Sequence, residues 1–251
     1  MLALDSFGTG SDVVLLNGTP SAPAQLAPLA TRLAPLYRTW IVHLPGTGGS
    51  GSLVPYDLEG AHRQVEEALL ARGIRAAHFV GVSGGAYRAL ALAVHGRVRV
   101  RSVVSLAGFR TLTPEQRSSY RDLAAFVRTG ADLGAALPAA ILSPAGLQIP
   151  QWTEEVSGWV KSIAAKDLAA EWDAFAACPA LDISGVSVPI LARVGELDTA
   201  MPPARSEDIV THASDGSLHV VPGVAHALLL EDFEATCKAI ASHLTRAEAA
   251  G

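Results

Sequence analysis

The stretch FVGVSGGAY, residues 79–87, sets one serine among three glycines directly after an apolar run. A serine in such surroundings is either part of a tight turn or a hydroxyl that the chain bends to hold out for chemistry. The segment that follows, AYRALALAVHG at 86–96, is rich in alanine and leucine and ends in glycine, so a helix begins almost at Ser83 and stops at Gly96. The local order is strand, serine, helix. In that context GVSGG satisfies G-x-S-x-G, whose serine takes an unfavourable backbone conformation and needs small neighbours two residues before and after it. Gly81, Gly85 and Ala86 meet that demand.

Working outward, short apolar runs with β-branched residues stand at 13–17 (VVLLN), 39–43 (TWIVH), 78–82 (HFVGV), 100–106 (VRSVVSL), 189–194 (PILARV) and 218–221 (LHVV). They alternate with stretches at helical spacing, the rhythm of an α/β protein with a mostly parallel central sheet and helices on both faces. Leu58, Ala61, Val65, Ala68 and Leu69 share one helical face, and Gly73 stands where a left-handed residue would end that helix. From about 108 to 182 the apolar spacing is helical throughout. The expected organisation is therefore a core of residues 1–107 and 183–251 with a helical cap, 108–182, inserted before the strand at 189–194. Thr113, Pro114 and Gln116 predict a capping box at its start. Trp152, Val156, Trp159 and Ile163 form one stripe, and Leu168, Trp172 and Phe175 a second. Such stripes read either as packing between helices or as the lining of a substrate pocket, for which Trp152 and Trp159 are the candidates.

A chain of 251 residues with 49% hydrophobic and 17% charged residues has the material for one large folding unit. The net charge is −5 and no lysine or arginine cluster occurs, which argues against nucleic acid or an anionic membrane as partner. The Arg97–Arg101 stretch alternates with valine and reads as a strand with a polar face. Cys178 and Cys237 lie far apart without histidines at metal spacing, so neither a disulfide framework nor a metal site is expected. The first ten residues lack the pattern of a signal peptide and no apolar run reaches a membrane span, so the expected location is cytoplasmic.

With its strand-serine-helix unit and its sheet rhythm, nearly the whole chain resembles the α/β-hydrolase family. A serine hydroxyl needs a histidine to take its proton, and that histidine needs a carboxylate to fix its tautomer. In this family the chain order is serine, acid, histidine. The resemblance places the acid in GELDTAMPP (195–203) at Asp198, with Glu196 as the alternative, and the base in VPGVAHALLLEDFE (221–234) at His226. Two donors must meet the oxyanion: the N–H of Gly84, at a helix N-terminus, and a second from LLNGTPSAP (15–23), where the family counterpart points to Thr19. Pro20 has no N–H to offer. Asn17 stands where the family usually has a histidine before the glycine, and Thr47 where it frequently has another. Few residues precede the first strong strand, so the family's initial hairpin is expected to be shortened or missing, leaving six or seven strands.

GTGGSG at 46–51 matches G-x-G-x-x-G, but a dinucleotide site needs a helix at once and an acidic residue about 20 positions on at the end of a second strand, and neither is present. The stretch instead resembles the family's glycine-rich loop after this strand. The expected function is a cofactor-free serine hydrolase that cleaves a carboxylic ester, thioester or lactone of a small, moderately apolar molecule. C–C bond hydrolysis, dehydratase-like chemistry, perhydrolysis and slow-turnover ligand reception remain open on the same fold.

Overall fold

The computed structural model describes residues 1–250. Seven strands form one sheet: β1 (Leu4–Phe7), β2 (Ser11–Leu16), β3 (Tyr37–Val42), β4 (Ala76–Val82), β5 (Arg99–Leu106), β6 (Ile190–Gly195) and β7 (Gly216–Val221). Their spatial order is β1-β3-β2-β4-β5-β6-β7. All pairings are parallel except that of β1 with β3, where Leu4 stands opposite Val42. The first strand is four residues long and lies beside β3 at the sheet edge. Its four residues, LDSF, contain no β-branched side chain and none is buried, so it carries little signal.

The helices, in chain order, are α1 (Ala27–Leu33), α2 (Leu58–Leu70), α3 (Gly84–His95), α4 (Pro114–Arg128), α5 (Leu137–Ile141), α6 (Pro150–Trp159), α7 (Ala165–Ala176), α8 (Pro203–His212), α9 (Leu228–Glu231) and α10 (Phe233–Ala250). Along β2, Val13 and Leu15 enter one apolar cluster with Leu29 of α1 and Ile240 of α10, while Val14 and Leu16 enter a second with Val65 of α2 and Leu90 of α3. Side chains of a strand alternate between its faces, so an unbroken apolar run is what a sheet covered on both sides requires.

Between β5 and β6 the described structure is helical or irregular, as the spacing predicts. Thr113 caps α4: its hydroxyl accepts from Gln116 N–H while the Gln116 side chain accepts from Thr113 N–H, and Pro114 opens the helix. The apolar cluster on the α2–α3 face continues into this region through Leu133, Val156, Trp172 and Phe175. Phe175 is one point of contact with the serine's helix. Its ring centroid lies 5.9 Å from that of Tyr87, 5.9 Å from Phe109 and 6.0 Å from Tyr120, and the Arg88 guanidinium carbon sits 5.0 Å from it.

Gly73 ends α2 with φ of 79°, as the pattern predicts. Gly96 ends α3 differently: its φ is −77°, in the extended region. Glycine is favoured there by crowding, since a Cβ would press on the Leu92 carbonyl and on Glu66.

Arg88 is fully buried on α3 and pairs with Glu171 of α7, itself 6% exposed, while donating to the Tyr56 hydroxyl at 2.7 Å. Removing one member of a buried pair strands the other charge, whereas apolar replacement of both is close to neutral. Glu171→Ala is therefore expected to lower the unfolding free energy by about 3–5 kcal/mol, and Arg88→Met with Glu171→Leu to recover most of it, as read by urea denaturation.

Candidate active site

The chain runs from β2 to β3 on one side of β2, and later places β4 on its other side. In an open α/β sheet, the crevice beyond the carboxyl ends of strands that diverge in this way is where ligands bind. Thr19 follows β2, and Ser83 follows β4 at this point.

Ser83 has φ 51° and ψ −116°, outside the regions that side-chain-bearing residues prefer. Two contacts permit the bend. A Cβ on Gly81 would overlap the Gly85 carbonyl, and one on Gly85 would overlap the Leu16 carbonyl of β2. The helix α3 consequently starts against both strands. The loop after β2 packs on the same bend, since a Cβ on Gly18 would lie 3.2 Å from Ser83 Cβ, and one on Gly84 would lie 3.5 Å from Thr19 Oγ1. Asn17, 2% exposed, braces that loop by donating to the carbonyls of Gly18 at 3.0 Å and Ser21 at 2.5 Å. Thr47 makes a local turn, donating to Leu44 O at 2.8 Å. The glycine loop closes on itself through Gly46 N–H to Gly51 O at 3.0 Å, and the next helix begins only at Leu58.

Asp198 lies in the loop after β6, 3% exposed. One carboxylate oxygen accepts from Met201 N–H at 2.8 Å and the other lies 2.7 Å from His226 Nδ1. A carboxylate can only accept, so Nδ1 carries the proton and Nε2 is left with its lone pair. Glu196 instead accepts from Gly223 N–H at 3.0 Å, bracing the turn that leads to His226. Burial works against a charged imidazole at His226, but the charge and hydrogen bond of Asp198 outweigh it and hold the ring above the ordinary histidine range. Burial drives His62 down to about 3, and His78 and His243 to about 4.

Ser83 and His226 border one cavity of about 330 Å³. They are not hydrogen-bonded to each other, and such contacts often tighten only when a ligand binds. Thr19 also borders the cavity, whereas Gly84 contributes no lining surface and stands beside Ser83 as the first residue of α3, where backbone N–H groups have no helical partner. Of the two tryptophans expected to line a pocket, Trp159 does so. Trp152 does not: it packs, partly buried, against the helical region's apolar cluster, and the tryptophan that joins Trp159 at the cavity is Trp172. The two tryptophans share a face about two turns apart on α6, and of that helix only Trp159, at its C-terminal end, borders the cavity.

A further carboxylate escapes the sequence reading. Glu231 accepts from Ser143 N–H in the helical region at 2.6 Å and from Ala225 N–H at 2.7 Å, while the N–H groups of His226 and Ala227 donate to Ile141 O at 3.0 and 3.2 Å. The loop that carries the imidazole therefore hangs from the helices between β5 and β6. An acidic residue five positions after His226 was the available signal, but nothing in the sequence says where it reaches.

The Alpha/beta hydrolase family matches residues 13–239, and the chain belongs to it. Over 256 residues it is 24% identical to the pimeloyl-[acyl-carrier protein] methyl ester esterase of Vibrio cholerae, covering 95% of this chain and 96% of that one. It is 27% identical over 261 residues to polyketide synthase ThaQ of Burkholderia thailandensis, covering 97% of this chain but only 12% of that protein. Among solved structures it resembles a thermophilic esterase from Thermogutta terrifontis, with a TM-score of 0.90, 23% identity and coverage of 98% and 93%. The enol-lactonase from Burkholderia xenovorans gives 0.89, 21%, 97% and 96%.

The raised pKa of His226 fixes the sign of two effects. Protonation of this ring stabilises the fold, a contribution fully present below about pH 6.5 and lost as pH rises through the higher folded value. To accept a proton at Nε2 the ring must be neutral, so any pH-dependent process that uses His226 in that way is expected to fail as pH falls through a value above about 6.5. In Asp198→Asn, burial is left unopposed, and the His226 resonance followed by NMR is expected to titrate at lower pH than in the parent protein.

Proposed function

We propose that this protein is a serine hydrolase that cleaves a carboxylic ester, thioester or lactone of a small, moderately apolar molecule. The observation that carries the reading is the 2.7 Å hydrogen bond from His226 Nδ1 to a buried Asp198, with its ring opening onto the cavity that Ser83 also borders. The esterases and the lactonase among its relatives and structural neighbours support it.

In this reading Ser83 Oγ attacks the carbonyl carbon as His226 Nε2 takes the hydroxyl proton. The oxyanion formed is met by the N–H groups of Thr19 and Gly84, and the positive end of α3 lies beneath it. Collapse of the intermediate breaks the bond to the leaving alcohol or thiol, which receives the proton from His226. Water then attacks the acyl group on Ser83 as His226 takes a proton from it, and as the bond to Ser83 Oγ breaks and the acid leaves, His226 returns that proton to the serine. Asp198 stays ionised and stabilises the imidazolium in both halves. Residues 108–182 act as a cap on a core of 1–107 and 183–251, with Trp159 and Trp172 in contact with substrate.

Ser83→Ala is expected to abolish both labelling by a fluorophosphonate and turnover of activated esters, with a melting temperature close to that of the parent protein. Labelling that survives the change places the nucleophile elsewhere. His226→Ala is expected to lower kcat by several orders of magnitude, about 10³–10⁶, with a residual rate from oxyanion stabilisation and binding. A panel of activated esters set against a vinylogous diketone separates ester from C–C bond cleavage.

A further inference from the structure

The cavity beside Ser83 is unusual in what it lacks. Leu133, Leu137, Ile141, Trp159 and Trp172 enclose it from the helical side, with Leu106 and Leu228 toward the sheet, and no lysine, arginine, aspartate or glutamate is among the described residues that border it. Its ionisable groups are His226 and Tyr120, and burial pushes the Tyr120 phenol up, so it stays neutral. Its other polar groups, including Gln25, Gln116 and Ser119, are uncharged.

Arg88, Arg110 and Arg117 are committed elsewhere, and Arg121 and Arg128 of α4 are exposed and do not border the cavity. Arg88 is sealed behind Phe175 by Glu171 and Tyr56. Arg117 donates to the Ala176 carbonyl at 2.9 Å, and Arg110 pairs with Asp208 at 2.9 Å. Asp198 stands behind the imidazole and Glu231 on the loop that carries it, and both carboxylates repel an anion. The one cation the lining can form is the His226 imidazolium, which cannot take the serine's proton, so beside the neutral ring a carboxylate loses its hydration without gaining a cation.

We propose, building on the hydrolase reading, that this is a charge-excluding acyl site. It takes the ester of an uncharged aliphatic acid and turns away a chain of the same length that ends in a carboxylate. A cavity of about 330 Å³ is of the size that holds small molecules. The substrate class is thus a small monoacyl ester whose acyl part is uncharged and aliphatic.

Two isosteric esters test this: methyl 6-methylheptanoate and monomethyl adipate, which differ in replacing a terminal isopropyl group by a carboxylate. At neutral pH the anionic ester is expected to have a kcat/KM about 100-fold lower or worse, and dimethyl adipate to recover most of the loss. Discrimination below about threefold between the isosteres overturns the proposal. Leu123 borders the cavity and is only partly buried, so Leu123→Arg can keep its charged head near water. That variant is expected to shift the anionic-to-neutral ratio by at least about tenfold toward the anion, and an unmoved ratio in a variant that still cleaves the neutral ester counts against the proposal. Binding of the same two esters to Ser83→Ala, measured by calorimetry, separates this inference from the hydrolase reading. A preference for the neutral isostere supports charge exclusion even in a protein that turns over neither, and equal binding overturns it.

Discussion

The rest of the site depends on one backbone conformation, that of Ser83 between β4 and α3. Holding a side-chain-bearing residue there costs on the order of 1–3 kcal/mol, which the surrounding packing must offset. The offset comes from close approach. With no Cβ at 81 and 85, the first turn of α3 sits against both β4 and the end of β2. The same approach brings the loop of Gly18 and Thr19 onto the serine, so the bend and the proposed oxyanion donors arise from a single packing event rather than from separate ones.

Around this bend the molecule is built from two sides. The sheet supplies the loops that carry Ser83, Asp198 and His226, each at the carboxyl end of a parallel strand, and parallel register aligns those ends at one rim. The helices between β5 and β6 supply the apolar walls, and they are not a detachable layer. Phe175 lies among Tyr87, Phe109 and Tyr120, Arg88 reaches across to Glu171, and one apolar cluster runs through both parts. The buried pair is a point of vulnerability: intact, it joins α3 to α7, and with either partner lost it leaves a charge in the core.

Much of the fold was legible because burial on both faces favours apolar runs, as along the inner strands β2, β4 and β6, while β7, mostly exposed at the other edge, still shows through its LHVV. β1 was not, since at an exposed edge LDSF answers to a backbone partner rather than to a core. Among site residues, the sequence points to Asp198 and His226 through their loops after β6 and β7, and the structure joins them by a hydrogen bond. The choice between Asp198 and Glu196 needed coordinates, because both occupy the same short loop and only direction separates them. The tryptophans were harder still: a stripe says which residues share a helix face, not what that face meets, and so Trp152 packs inside the helical region while Trp172 reaches the cavity.

The suspension of the histidine loop has a mechanical consequence. Ile141 O holds the backbone on either side of the imidazole's Cα, and Glu231 ties Ser143 to Ala225. Any displacement of the helices between β5 and β6 relative to the loop must either break these bonds or drag the imidazole along with it. In the proposed hydrolase, a helical region that shifted to admit a ligand would therefore share one moving part with proton shuttling, so that loosening it would also spoil the alignment that loading serves.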